Sequence, residues 1–218
     1  MTAVSAAAGY RLWAESWDAT PSPIVALEQR ALGPWIDALA ARRVVDVGCG
    51  TGRWTGRLDA IGVDLSPAML AVAARKAGLR GRLAAADAAR LPLSSACCGA
   101  AICALTLGHV RDAASAMREL ARILEPGATL LLTDFHPAAA ARGWRRTFRS
   151  GGVVYELENY PYTLESLRQA VPMLVLEEAL DATIGQPERE LFERAGKPDL
   201  YESAASMPAV LLSRWRRL

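Results

Sequence analysis

The chain reads as an α/β protein, a mostly parallel sheet with helices on both faces, and three observations predict it. Short apolar or β-branched runs alternate with helical stretches, the order that parallel strands and crossover helices require. The first such run ends in a glycine cluster, Gly48-Cys49-Gly50-Thr51-Gly52, suited to a tight strand-to-helix turn. Residues 91–110 carry no Asp, Glu, Lys or Arg. That stretch could just span a bilayer, but Pro92, Ser94, Ser95, Gly99, Gly108 and His109 fall inside it. A loop followed by a central strand, apolar on both faces, accounts for it better.

The elements follow in order. Residues 1–41 read as helical, with Trp13 and Trp17 four apart on one face. Strands are expected at 44–47, 61–64, 82–86, 100–107, 129–134, 174–183 and 209–214. Ser66-Pro67 is an N-cap followed by proline at the first helical position, so a helix runs over 68–76 and Gly78 stops it. Asp112 caps the next helix, whose apolar residues Ala113, Met117, Leu120, Ala121 and Leu124 share a face. Pro126-Gly127 then turns into the fifth strand. Residues 136–162 form an insertion holding Arg142, Arg145, Arg146 and Arg149, best read as an exposed amphipathic helix with mostly solvated arginines. One domain over 1–218 is the simplest organisation: 1–41 helical, 42–134 the glycine-loop half, 135–218 the insertion and last two strands.

Composition narrows the function. With 52% hydrophobic and 22% charged residues the chain is an ordinary globular one. Its 25 basic and 23 acidic residues give a net charge of +2, no footprint for a nucleic-acid tract. Its four cysteines include the adjacent Cys97 and Cys98 but no C-x-x-C pair, and there are two histidines. A Cys/His metal site is not expected, and a reducing compartment is. The N-terminal residues lack the basic n-region of a signal peptide. The expected location is cytoplasmic, without membrane insertion; the oligomeric state is left open.

The glycine turn carries the chemistry. Glycines there let the backbone approach a ligand, and the first helical N–H groups face it. A dinucleotide turn wants G-x-G-x-x-G, but residue 53 is Arg53 and the spacing here is G-x-G-x-G. Asp46 precedes the turn. Asp64 ends the second strand, where a carboxylate accepts both hydroxyls of a ribose; its alternative is an acid at a helix N-terminus.

Four ordered segments extend this turn: Asp46-x-Gly48-Cys49-Gly50-Thr51-Gly52, then Gly62-Val63-Asp64-Leu65-Ser66-Pro67-Ala68-Met69-Leu70, then Ala86-Asp87-Ala88-x-x-Leu91-Pro92, then Leu120-x-Arg122-Ile123-Leu124-x-Pro126-Gly127-Ala128. In these the chain resembles the class I S-adenosylmethionine-dependent methyltransferases, over about residues 43–134. The resemblance implies a Rossmann-like, seven-stranded, mostly parallel sheet with its last strand antiparallel and a helical N-terminal lid. It implies that Asp46, Gly48, Cys49, Gly50 and Gly52 line the methionine end of S-adenosylmethionine, and that Asp64 holds the ribose. Leu65 would pack on the adenine, Asp87 and Ala88 would read its edge, and the backbone of Ala104 and Leu105 would lie beside the methyl. Tyr10-x-x-Trp13-Ala14-x-x-Trp17-Asp18 is similar to the lid segment of the quinone-biosynthesis type, with Trp17 in place of a tyrosine, which adds Tyr10 and Trp13 to the cofactor side. The departure is the helix after the glycine loop, which has only residues 53–59, about two turns.

The second substrate would sit outside the carboxyl ends of the strands. His109 and His136 follow the fourth and fifth strands and are the candidate bases. Tyr155, Tyr160 and Tyr162 could wall a pocket for a planar acceptor. The turn after the fourth strand, Thr106-Leu107-Gly108-His109, lacks the Asn/Asp-Pro-Pro-aromatic signature of nucleic-acid amino methylation. The reading is methyl transfer to an O, C or N atom of a small-molecule acceptor, with no metal. A SAM-binding regulator without transfer and a nicotinamide oxidoreductase are the rivals.

Overall fold

The structure, a computed structural model, describes residues 1–39 and 43–218. In chain order its elements are β1 (Thr2–Val4), α1 (Ala6–Trp17), α2 (Pro23–Asp37), β2 (Val44–Val47), α3 (Arg53–Leu58), β3 (Ile61–Asp64), α4 (Pro67–Ala73), β4 (Leu83–Ala85), β5 (Cys98–Ala104), α5 (Ala113–Ile123), β6 (Leu124–Phe135), α6 (Pro137–Ala141), β7 (Thr147–Ser150), β8 (Val153–Leu157), α7 (Leu164–Ala170), β9 (Leu174–Thr183), α8 (Arg189–Arg194), α9 (Asp199–Ala204) and β10 (Pro208–Arg217). The expected boundary at 41/42 falls outside the described residues.

Side chains alternate across a strand, so a strand covered on both faces must be apolar at every position. The central strands meet that demand at most positions, the buried Asp46 of β2 and Thr133 and Asp134 of β6 being polar exceptions. Val45 and Val47, Ala101 and Cys103, and Leu130 and Leu132 face one core, closed by Ala116, Met117 and Leu120 of α5 and Leu167 of α7. Val44, Ala100, Ile102 and Leu131 face the other, closed by Leu27, Leu32 and Ile36 of α2, Trp54 and Leu58 of α3, and Phe192 and Tyr201 of α8 and α9.

The strands are ordered β4-β3-β2-β5-β6-β10-β9. The β4/β3, β3/β2, β2/β5 and β5/β6 pairs are parallel, with Val45 opposite both Ile61 and Ala101. The last strand, β10, runs antiparallel to both β6 and β9. The chain winds outward from β2 in one direction and from β5 in the other, so a crevice opens beyond the carboxyl ends of these two strands.

The caps read from the sequence form. The Ser66 hydroxyl accepts from the Met69 N–H and the Asp112 carboxylate from the Ser115 N–H. Two expectations are corrected. The N-terminal region is not all helical, because Thr2–Val4 forms β1. The insertion is not an amphipathic helix: it holds the short α6 and a hairpin of β7 and β8, which with β1 forms a second sheet ordered β1-β8-β7. The physical reason is an apolar layer shared with α1. Trp13 stacks on Phe148 of β7, ring centroids 4.7 Å apart, and Gly9 lies so close to β8 that a Cβ there would meet the Leu157 side chain at 2.1 Å. Of the four arginines, Arg142, Arg145 and Arg149 are exposed as expected, but Arg146 is not. Among the described residues no helix is long and apolar enough to cross a membrane.

Candidate functional site

The crevice is a cleft whose floor is the glycine turn. Gly48 and Gly50 take φ of +74° and +55°, a left-handed backbone that costs a side chain-bearing residue energy. At Gly48 a Cβ would lie 2.2 Å from the Thr106 side chain. The Thr106 hydroxyl lies 2.9 Å from the Ala104 carbonyl and 3.3 Å from the Gly48 carbonyl, each an acceptor for it, which ties the end of β5 to the turn. Cys49 also lines the cleft. Gly52 does not: its φ of +84° starts α3, and a Cβ there would strike Leu79 at 2.4 Å.

Two carboxylates flank the turn. Asp64 is held by the backbone N–H groups of Gly50 and Ser66, each 2.7 Å from one of its oxygens. Burial raises its pKa from the ordinary carboxylate value. Each oxygen keeps a lone pair for a ligand hydroxyl. Asp46 accepts from the Thr55 hydroxyl at 2.7 Å, and burial pushes its pKa up to about 6. Beyond Asp64 the side chain of Leu65 stands 55% exposed at the cleft wall. Asp87 and Ala88 line the same end; the Asp87 carboxylate accepts from the Ala89 N–H at 2.8 Å.

The opposite wall comes from α1 and the end of β5. Tyr10, Ala104, Leu105 and His109 line it. Leu105 holds a φ of +53°, backbone strain of the kind concentrated at functional sites. His109 Nε2 lies 3.0 Å from the Tyr10 hydroxyl, and its Nδ1 lies 2.8 Å from the Glu158 carbonyl oxygen. Burial, then the nearby Arg146 guanidinium, lowers the His109 pKa to about 4, so the ring is neutral at physiological pH. Burial raises the Tyr10 hydroxyl to about 12.

Besides Gly52, two residues named from the sequence stand outside the cleft lining. Trp13 packs in the apolar layer under the hairpin, with Nε1–H donating to Thr20 Oγ1 at 3.1 Å. His136 caps α6: its Nδ1 accepts from the Ala138 N–H at 3.0 Å and its Nε2 meets Asp181 at 3.1 Å. With both ring nitrogens engaged and the ring outside the cleft lining, it is not placed to take a proton there.

The matching family model carries the description methyltransferase domain and covers residues 45–132. A ubiquinone/menaquinone biosynthesis C-methyltransferase of Syntrophotalea carbinolica is 31% identical over 193 residues, 77% of this chain and 78% of that protein. The chain belongs to the class I S-adenosylmethionine-dependent methyltransferase family. A demethylmenaquinone methyltransferase of Deinococcus radiodurans is 35% identical over 113 residues, 47% of each chain. The chain spans about half the length of the first curated relatives it matches. The fold matches that of an S-adenosylmethionine-dependent methyltransferase from Mesorhizobium loti, with a TM-score of 0.64, 23% identity, and coverage of 88% of this chain and 100% of the other.

Within this methyltransferase fold the structure adds groups that the sequence reading missed. Arg53, at the start of α3, lines the cleft beside the glycine turn. Its guanidinium pairs with the buried Glu28 at 2.5 Å, as an ion pair without hydrogen-bond geometry, and lies 4.6 Å from the Trp54 ring centre. Glu28 also accepts from Trp54 Nε1–H at 3.2 Å, and burial raises its pKa. Nothing in the local sequence of α2 sets Glu28 apart from a solvated helix carboxylate. Arg146 and Asp134 form a buried ion pair behind His109. Here a signal existed, because Asp134 is an acid at the end of the apolar run Leu130-Leu131-Leu132-Thr133.

Proposed function

We propose that this chain transfers the methyl group of S-adenosylmethionine to a small-molecule acceptor. One observation carries the reading. A cradle that admits no Cβ at Gly48, a fixed carboxylate at Asp64 and an exposed Leu65 share one cleft, in the order amino acid, ribose, adenine. That set of donors, acceptors and apolar surface has the chemistry the group requires. Asp46, Gly48, Cys49 and Gly50 would hold its amino-acid end, Asp64 its ribose, and Leu65, Asp87 and Ala88 its adenine. Bound there, the sulfonium supplies a methyl group already activated for transfer.

The chain's own contribution is then alignment and exclusion of water. Ala104 and Leu105 form the wall facing the glycine turn, and α1 with Tyr10 completes it. Tyr10, which the resemblance put on the cofactor side, is assigned together with His109 to face the acceptor. The names of the quinone-biosynthesis relatives support an aromatic, quinol-type acceptor.

Asp46 makes cofactor affinity depend on pH. Its carboxyl ionises at about 6 in the free protein, and the ammonium of the ligand favours the ionised form. Affinity is therefore complete above pH 7 and falls as the pH is lowered through 6, by up to about tenfold per unit. Calorimetric titrations between pH 5 and 8 check this, and Asp46→Asn gives weak binding without that slope. The reading as a whole is tested by incubating the protein with methyl-labelled S-adenosylmethionine and a metabolite extract. A labelled small molecule is expected; tight cofactor binding without any labelled product would make the chain a binding protein instead.

A further inference from the structure

Behind the acceptor wall lies a buried polar chain that cofactor binding does not use. Asp134, at the end of β6, is 5% exposed. It accepts from the backbone N–H of Gly108, from its neighbour Phe135 N–H at 2.7 Å and from the Tyr162 hydroxyl at 3.1 Å, and it pairs with the Arg146 guanidinium. Arg146 enters from the turn before β7. Its second nitrogen donates to the Leu105 carbonyl at 2.8 Å and approaches His109 Nε2 at 2.5 Å.

The tautomer of His109 follows. A carbonyl oxygen only accepts, so the Nδ1 facing Glu158 carries the proton and Nε2 carries the lone pair. Two donors then converge on that single lone pair, the Arg146 N–H and the Tyr10 O–H. Only one can be fully satisfied by it. Arg146 is anchored by Asp134 and stands outside the cleft lining, whereas Tyr10 lines the cleft. The Tyr10 hydroxyl is therefore the surplus donor. It can turn to a ligand while Arg146 keeps Nε2 satisfied, so no buried polar atom is left without a partner.

We propose that the Tyr10 hydroxyl is the binding group for an anionic oxygen, a phenolate or enolate, on the methyl acceptor, and that Asp134, Arg146 and His109 are the positioning residues that free it for that role. This rests on the reading that the cleft holds S-adenosylmethionine. His109 on this account does not take the acceptor's proton; the acceptor binds already ionised. The groups facing His109 agree: Tyr10 from α1, Arg146 and its partner Asp134, and the Glu158 carbonyl after β8. A proton on Nε2 would stand against the guanidinium, while negative charge on the acceptor would not.

Two measurements test it. In protein labelled with 15N-histidine only two rings report, and His136→Gln assigns them. His109 is expected as the neutral Nδ1–H form at pH 7; the Nε2–H form or a protonated ring overturns the proposal. The second uses 4-nitrophenol, whose phenolate is coloured, added to protein saturated with S-adenosylhomocysteine. At a pH below the free probe's pKa, the bound probe is expected to be about tenfold more ionised than in water, a shift of about one unit, and Tyr10→Phe is expected to remove the shift. Unshifted ionisation, a shift that survives in Tyr10→Phe, or no probe binding to the loaded protein overturns this proposal alone. Failure of S-adenosylhomocysteine itself to bind overturns the parent reading and this one with it.

Discussion

Asp64→Ala is expected to weaken S-adenosylhomocysteine binding at least about 100-fold. The carboxylate is positioned before any ligand arrives, since the N–H groups of Gly50 and Ser66 hold one oxygen each. Little ordering remains to oppose binding. Two charge-assisted hydrogen bonds to a ribose contribute about 1.5–3 kcal/mol each, and about 2.8 kcal/mol corresponds to a factor of 100. The alanine variant also leaves two backbone donors facing the cleft without their acceptor. Asp64→Asn keeps the shape but turns a donor toward one of those N–H groups, so its loss should be nearly as large. Calorimetry at pH 7.5 measures both, with circular dichroism showing that the variants remain folded. A loss below about tenfold would place the ribose elsewhere.

Gly48→Ala is expected to cost about 3 kcal/mol of stability, through left-handed backbone and steric overlap. The overlap is specific: the new methyl would sit 2.2 Å from the Thr106 side chain. Relief requires moving Thr106, whose hydroxyl is bonded to the Ala104 carbonyl, so the strain passes into the end of β5. Chemical denaturation should show the loss, and cofactor affinity should fall with it. Adding Thr106→Ala should return part of the stability, because it removes the two closest overlaps but leaves the Cβ of residue 106 at 2.7 Å and the φ penalty. A fully additive pair would show that the two residues do not press on each other.

Legibility in the sequence followed the range of the forces involved. The central strands β5 and β6 were readable because burial on both faces writes itself as continuous apolar runs, as in Ala100–Ala104 and Leu130–Leu132, and β2 because its three valines flank the single acid Asp46. The caps at Ser66 and Asp112 were readable because a cap is a local contact. The glycine turn was readable because positive φ at Gly48, Gly50 and Gly52 demands glycine itself. The acceptor side was not readable in this way. Arg146 looked like one of four solvated arginines, and only β6 delivering Asp134 beside it makes it a buried ion pair. The hairpin of β7 and β8 was hidden by its arginines, and its identity depends on Trp13 and Gly9, more than 130 residues away in the chain. His136 follows a strand just as His109 does; the difference is that α6 starts immediately after it and takes its ring as a cap.

The cleft beyond β2 and β5 is expected to take the adenosyl sulfonium and not a dinucleotide. Parallel calorimetric titrations of the wild-type chain with S-adenosylhomocysteine and with NADH decide it. One saturable site is expected for S-adenosylhomocysteine, competed by S-adenosylmethionine, and none for NADH. Binding of NADH alone, or of neither, would contradict it.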